Sequence, residues 1–180
     1  MKTAPLALLA ALSALAIPAS APAELPQGAR APQFATQGAL AGKDFAFNLR
    51  AALRRGPVVL YFYPKAFTQG CTLEAHAFAE AHDQVRAAGA TVIGMSNDDL
   101  PTLRRFSTEG CRDKFAVAVA SPAIVRAYDV DLTREGKSTG LTTRTSYVIA
   151  RNGRIRFVHS DMNYADHVRL TLAAVQALKR

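Results

Sequence analysis

Pro57-Val58-Val59-Leu60-Tyr61-Phe62-Tyr63-Pro64 is a continuous β-branched and aromatic run closed at both ends by proline. No polar residue alternates with the apolar ones, so the pattern is that of a central strand covered on both faces. After a loop over Lys65 to Gly70, residues Cys71 to Ala88 contain neither glycine nor proline and place Leu73, Phe78, Ala81 and Val85 at helical spacing. Cys71 therefore stands at a helix N-terminus. Thr91-Val92-Ile93-Gly94-Met95-Ser96 reads as a second buried strand, and Pro101 to Ser107 as a second helix opening after Asn97-Asp98-Asp99. The chain runs β-α-β-α from its first strong element.

Further along, Phe115 to Val119 predicts a short strand and Pro122 to Tyr128 a short helix. Thr145 to Ala150 and Arg154 to Val158 predict a hairpin turning at Asn152-Gly153. Asn163 to Leu178 closes the chain as an amphipathic helix with Val168, Leu172, Val175 and Leu178 inward. Upstream, Phe45 and Phe47 alternate around Ala46 between Phe34 and Leu53, as in a strand pair turning near Gly42-Lys43-Asp44. Glu24 to Gln33, with Pro26, Gly28 and Pro32, reads as a flexible leader without a motif. The class is α/β: a thioredoxin-like arrangement, with a mixed central β-sheet flanked by helices on both faces.

The first residues are set apart from this fold. Met1-Lys2-Thr3 precedes an almost wholly apolar stretch from Ala4 to Ile17, and Ala21-Pro22-Ala23 offers a small-x-small cleavage site before Glu24. Residues 1–23 are expected to be a secretory signal peptide and residues 24–180 one thioredoxin-fold domain. The run is shorter than the roughly 20 residues that span a bilayer and ends at Pro18, so no stable membrane insertion is expected after cleavage. Export to a bacterial periplasm is expected on this pattern, and such a compartment allows disulfides to persist. Cys71 and Cys111 allow one pairing, a permanent staple or a working redox couple. The net charge of +8 is carried by arginines scattered along the chain, among them Arg50, Arg54, Arg55, Arg104, Arg105, Arg151, Arg154 and Arg156. No recognition helix or aromatic platform accompanies them, so no nucleic-acid partner is expected.

Chemistry concentrates in the loop Pro64-Lys65-Ala66-Phe67-Thr68-Gln69-Gly70-Cys71. A thiol is a nucleophile only as its thiolate, which needs surroundings that favour the anion. A helix N-terminus supplies free N–H groups and positive partial charge. Thr68 can direct its hydroxyl at the sulfur, and Pro64 fixes the backbone where the strand ends. What this segment lacks is a fixed cation.

Pro-x-x-x-Thr-x-x-Cys, met here by Pro64, Thr68 and Cys71, resembles the active-site signature of the peroxiredoxins. Ala31-Pro32-Gln33-Phe34 and Val58 to Pro64 are similar to other stretches of that family, and Cys71-Thr72-Leu73-Glu74 resembles its bacterioferritin comigratory protein, or Q-type, branch. The resemblance implies a thiol peroxidase acting on hydrogen peroxide and organic hydroperoxides for antioxidant defence, with no cofactor and no metal. It also implies an arginine near the start of a late strand, for which Arg144 is the candidate, its forked guanidinium suited to holding thiolate and peroxide together. Glu74, one turn after Cys71, could orient that arginine. Many members of the branch carry a resolving cysteine five residues after the first, where this chain has His76, and Ala66 and Gln69 stand where Asp and Pro are common. Cys111 is the replacement, so an intramolecular Cys71–Cys111 disulfide is expected, with the first turn of the active-site helix unwinding to bring the two together. An external dithiol of thioredoxin or glutaredoxin type would reduce it, and the protein is expected to be a monomer.

Other readings compete. His76 and His82 are six apart on one helix, not the i, i+4 pair that chelates zinc, and His159 and His167 show no ligand spacing. Thiol–disulfide exchange with other proteins would need Cys-x-x-Cys, and Cys71 is followed by Thr72, Leu73 and Glu74. An exported thioredoxin-fold binding module with a purely structural disulfide is the alternative to the enzyme.

Overall fold

In the computed structural model, which describes residues 24–178, the elements run β1 (Ala35–Leu40), β2 (Lys43–Asn48), α1 (Leu49–Arg55), β3 (Val58–Phe62), α2 (Gln69–Ala87), β4 (Thr91–Ser96), α3 (Leu100–Glu109), β5 (Ala116–Val119), α4 (Pro122–Ala127), β6 (Asp131–Arg134), β7 (Lys137–Thr142), β8 (Thr145–Ile149), β9 (Ile155–Ser160) and α5 (His167–Ala177). The expected signal peptide, residues 1–23, lies outside the described residues. Seven strands form one mixed sheet in the order β2-β1-β5-β4-β3-β8-β9, and β6 and β7 pair as a separate hairpin.

β3 is central as its apolar run requires: all five residues are buried, paired parallel to β4 and antiparallel to β8. Its side chains alternate between two cores. Val58, Leu60 and Phe62 face the layer that holds Leu49, Ala52 and Leu53 of α1 and Ile124 and Val125 of α4. Val59, Tyr61 and Tyr63 face Cys71, Ala75 and Phe78 of α2, Leu103 and Phe106 of α3 and Val175 of α5. Helices on both faces of a mixed sheet are thus present, as the thioredoxin-like reading expects.

Several local expectations need correction. α1 was not foreseen; it is two turns long, too short for periodicity to register, and is started by Asn48, whose side chain accepts from Ala51 N at 2.9 Å. The β6–β7 hairpin was also missed, because its strands are largely exposed and carry no apolar alternation. α5 begins at His167 rather than Asn163, since Asp161 and Asn163 spend their side chains on Asn163 N and Ala165 N in successive Asx turns. The leader segment is tied down: Gly28 N donates to Ile155 O, Ala31 N to Gly153 O, and Ala31 is buried. One isolated antiparallel bridge pairs Arg30 with Arg154, just before β9.

Candidate active site

α2 starts at Gln69, two residues earlier than expected, with Thr68 as its N-cap. Cys71 is still in the first turn, ahead of the first intrahelical bond from Thr72 N to Thr68 O at 2.9 Å. Its backbone N–H thus belongs to the set that a helix start leaves free, on the positive side of the helix dipole. The thiol is 2 % exposed and packs in the Tyr61–Phe78 layer.

The loop before it is pinned from a direction the sequence does not reveal. Asp98, just past β4, accepts from Ala66 N at 2.7 Å and from Ser96 Oγ at 2.9 Å, and approaches Lys65 Nζ at 3.5 Å. Phe67 takes a left-handed φ of 64°, with its ring edge-on to Phe106 and under the Arg105 guanidinium at 5.0 Å. Thr68 is exposed at the loop end and its hydroxyl donates to Lys65 O at 2.9 Å, which closes the turn and leaves the oxygen lone pairs free to accept. Pro64 is half-buried where β3 ends, and Tyr63 O there accepts from Thr142 Oγ1 at 2.8 Å.

Arg144, between β7 and β8, comes to Cys71 from across 73 residues of sequence. Its Nη2 donates to Cys71 Sγ at 3.5 Å, its Nη1 to Glu74 Oε2, and its Nε to Met162 O at 3.0 Å. Arg144 is 5 % exposed and Glu74 fully buried. Burial works against the guanidinium charge, but the Glu74 carboxylate and the Cys71 sulfur outweigh it, so its titration is raised further and the cation is permanent. Burial pushes Glu74 up to about 7, against the opposing pull of Arg144.

Behind Glu74 sits a group that sequence reasoning set aside. His167 is fully buried, with Nδ1 2.8 Å from Ser146 Oγ, Nε2 2.8 Å from Asp161 O, and Nδ1 3.7 Å from Glu74 Oε1. At that spacing a protonated His167 would pair with Glu74, but burial drives the imidazole down to about 4, so it is neutral at neutral pH. His159 packs edge-on against it at 4.5 Å between ring centroids. The two histidines are eight apart on different elements, which is why spacing gave no sign of the contact. Among the described residues no three His, Cys, Asp or Glu converge in a way that could hold a metal ion.

Cys111 follows α3 and is fully buried in the same layer as Cys71, both as free thiols. Burial, with a contribution from Asp113, pushes the Cys111 thiol well above its ordinary range. The fully buried Tyr61 and Tyr63 lie within the electrostatic reach of both cysteines.

Residues 27–158 match the AhpC/TSA family. That match covers most of the chain and includes Pro64, Thr68, Cys71, Glu74, Cys111 and Arg144. The chain belongs to this peroxiredoxin family. It is 28% identical over 183 residues to the chloroplastic peroxiredoxin Q of rice (Oryza sativa subsp. japonica), spanning 93% of this chain and 81% of that one. It is 30% identical over 112 residues to peroxiredoxin Bcp of Escherichia coli K12, covering 61% and 72% of the two chains. Among solved structures, peroxidoxin BcpB of Mycobacterium tuberculosis superposes with a TM-score of 0.75 at 26% identity, over 86% of this chain and 98% of that one. Peroxiredoxin Q of Xanthomonas campestris gives a TM-score of 0.70 at 27% identity, over 80% and 91%. The peroxiredoxin is accordingly an oxidoreductase, a thiol peroxidase on a thioredoxin-like fold.

Proposed function

We propose that this peroxiredoxin reduces hydrogen peroxide and organic hydroperoxides through Cys71, for antioxidant defence. The Cys71 thiolate attacks the O–O bond and becomes a sulfenic acid, and the departing oxygen leaves as water or alcohol after taking up a proton. Arg144 carries this reading: a buried, permanent cation with one nitrogen on the Cys71 sulfur and another on Glu74. Thr68 and the first-turn N–H groups are the further donors and acceptors for a bound peroxide, and Pro64 screens the sulfur from water.

Cys111 then attacks the sulfenic sulfur, releasing water and leaving a Cys71–Cys111 disulfide, which an external dithiol of thioredoxin or glutaredoxin type reduces. Both thiols are buried, so the closed conformation must open first. Arg112 and Asp113, directly after Cys111, hold left-handed φ values of 50° and 58°. Such non-glycine backbone costs about 1–3 kcal/mol per residue, released when this segment unwinds. Local unwinding at Cys111, together with the first turn of α2, is the motion the cycle needs.

The protein works as a monomer in an exported compartment, once residues 1–23 are removed as a signal peptide. No helix among the described residues is long and apolar enough to cross a membrane. Mature protein isolated from the exporting cell should begin at Glu24.

The test is intact mass and peroxide consumption of the reduced protein, with dimedone present. Wild type should consume one equivalent per chain and lose two hydrogens, while Cys71→Ser should consume none. Cys111→Ser should give a dimedone adduct at Cys71 or a disulfide between chains. Peroxide consumption by Cys71→Ser at the wild-type rate rules out the nucleophile. A two-hydrogen loss within a single Cys111→Ser chain rules out the resolving cysteine.

A further inference from the structure

The sheet that positions Cys71 and Arg144 carries a second basic site at its other end. β8 starts beside Arg144 and runs antiparallel to β3, from Thr145 opposite Phe62 to Ile149 opposite Val58. The turn that follows, at Arg151 and Asn152, therefore lies at the end of the sheet away from Cys71, roughly 20 Å from Arg144 at the rise of a strand. There Arg30 of the leader, Arg50 and Arg54 of α1, and Arg151 surround a surface cavity of about 400 Å³. A neighbouring cavity of about 360 Å³ shares Arg151 and Asn152 and adds Arg156.

No aspartate or glutamate lines either cavity. Among the described residues, none of the four arginines forms an ion pair. Other arginines do: Arg104 meets Asp44, Arg112 meets Glu80 and Arg169 meets Asp166. On α1 the gathering works against the helix. Arg50 and Arg54 are four residues apart, so like charges share one face. Arg50 also stands in the first turn, where the helix dipole disfavours a cation and no acidic residue offsets it.

The remaining groups are held in place from the backbone. Arg151 Nη2 donates to Arg54 O at 2.9 Å, one of the carbonyls that the end of α1 leaves free. That bond fixes the guanidinium and leaves its Nε and Nη1 donors unused. Asn152 Oδ1 accepts from Arg154 N at 3.1 Å, so the Asn152 amide nitrogen remains as a neutral donor at the cavity wall. Leu53 and Ala31, both buried, make that wall partly apolar, and a low-dielectric wall beside fixed cations concentrates their field.

Four uncompensated guanidiniums around one cavity call for an anion with several charges. Their planar forks match phosphate oxygens bidentately, whereas a single carboxylate would neutralise one of the four. We propose that this cavity is a binding site for a polyvalent phosphate anion, held by Arg30, Arg50, Arg54 and Arg151. The site is separate from the Cys71 centre, and the inference does not rest on Cys71 being the nucleophile.

The probe is inorganic triphosphate, titrated into the protein by calorimetry at about 0.15 M salt, where diffuse surface attraction is screened. One equivalent should bind per chain, about tenfold or more tighter than orthophosphate, and should raise the melting temperature. Arg50→Gln/Arg54→Gln should weaken binding about tenfold or more, while its melting temperature without ligand does not fall, because a like-charge pair has been removed. Arg86→Gln/Arg134→Gln removes the same charge from α2 and β6 and should stay within about twofold of wild type. An equal loss in the two double variants overturns the inference, since attraction would then follow net charge and not this cavity. Absence of saturable triphosphate binding by the wild type overturns it as well. Sedimentation with equimolar phosphatidylcholine and phosphatidic acid vesicles separates the sources of phosphate. Vesicle binding that triphosphate displaces identifies a phospholipid headgroup, and triphosphate binding without vesicle binding identifies a free anion. Vesicle binding that triphosphate does not displace overturns the cavity as the site. Peroxide consumption by reduced Arg50→Gln/Arg54→Gln should match wild type, so a failure here and a failure at Cys71 are distinguishable.

Discussion

Replacing Arg144 by lysine keeps the charge and removes the fork. In the wild-type site three nitrogens reach three acceptors: Nη2 the Cys71 sulfur at 3.5 Å, Nη1 Glu74 Oε2, and Nε the Met162 carbonyl at 3.0 Å. An ammonium on a flexible stem has donors but not the planar span to hold sulfur and carboxyl together. The transition state of Arg144→Lys therefore loses at least one charge-assisted hydrogen bond, worth about 1.5–3 kcal/mol. That converts to a roughly 10- to 150-fold slower attack on peroxide. The assay is a single-turnover quench of pre-reduced protein with hydrogen peroxide, following the peroxide that remains, so that neither the resolving step nor the reductant enters the rate. Circular dichroism and thermal melting establish that the variant is folded. A folded Arg144→Lys protein within about twofold of the wild-type rate refutes the reasoning, because the forked geometry would then contribute nothing to the reaction.

Gly94→Ala would place a Cβ 2.9 Å from the Tyr61 ring and hydroxyl, and that ring is fully buried and stacked on Phe78 at 4.4 Å. Overpacking of about 1–3 kcal/mol should follow, read as a melting temperature lower by roughly 2–12 °C. Asp98→Ala removes the acceptor that pins Ala66 N, so the Pro64 to Thr68 loop should loosen and peroxide reduction fall about tenfold, while hydrogen exchange at Ala66 speeds up. Stability against pH should carry two opposed contributions. His167, with its titration depressed from 6.5 to about 4, adds stability that is present above pH 6.5 and is lost as pH falls toward 4. Glu74, raised from 4.5 to about 7, favours the folded state fully below pH 4.5, and that advantage is lost as pH rises to 7. Between pH 4.5 and 6.5 the two slopes cancel. Unfolding free energies of His167→Leu from urea melts over this window should instead fall with rising pH, by up to about 1.4 kcal/mol per unit, and a wild-type-like flat profile would count against these two opposed titrations.

The fold was legible wherever one segment carried its own signal. β3 announced itself because no polar residue interrupts Val58 to Phe62, and α2 because nothing breaks the helical pattern after Cys71. α1 did contain a signal, Asn48 as a cap and Leu49, Ala52 and Leu53 on one face, but two turns are easily read as the tail of the preceding strand pair. The leader segment misled for a different reason. Pro26, Gly28 and Pro32 are compatible with a free chain, and only the facing backbone of Gly153 and Ile155, more than a hundred residues on, shows that they are tied. The scattered arginines are a similar case: Arg30, Arg50, Arg54 and Arg151 come together around one surface cavity of about 400 Å³.

The site divides along the same line. Pro64, Thr68 and Cys71 lie on eight consecutive residues and stood out from the loop itself, whereas Glu74 and Arg144 were candidates only through a family likeness, because nothing local marks an arginine entering a strand as a partner for a thiol. Asp98 and His167 had no such help. Asp98 looked like one of three polar residues before a helix, yet its carboxylate is what pins the Pro64 to Thr68 loop. His167 was discarded with the metal hypothesis because its spacing to other histidines is wrong for chelation, and that inference was sound for zinc but silent about a carboxylate on another helix. A buried ionisable group is specified by what the fold leaves unpaired around it, and here the unpaired atom is Glu74 Oε1. The candidate nucleophile is marked by one loop; the ionisable groups packed around it converge from α2, the β7–β8 junction and the start of α5, which no local stretch of sequence reveals.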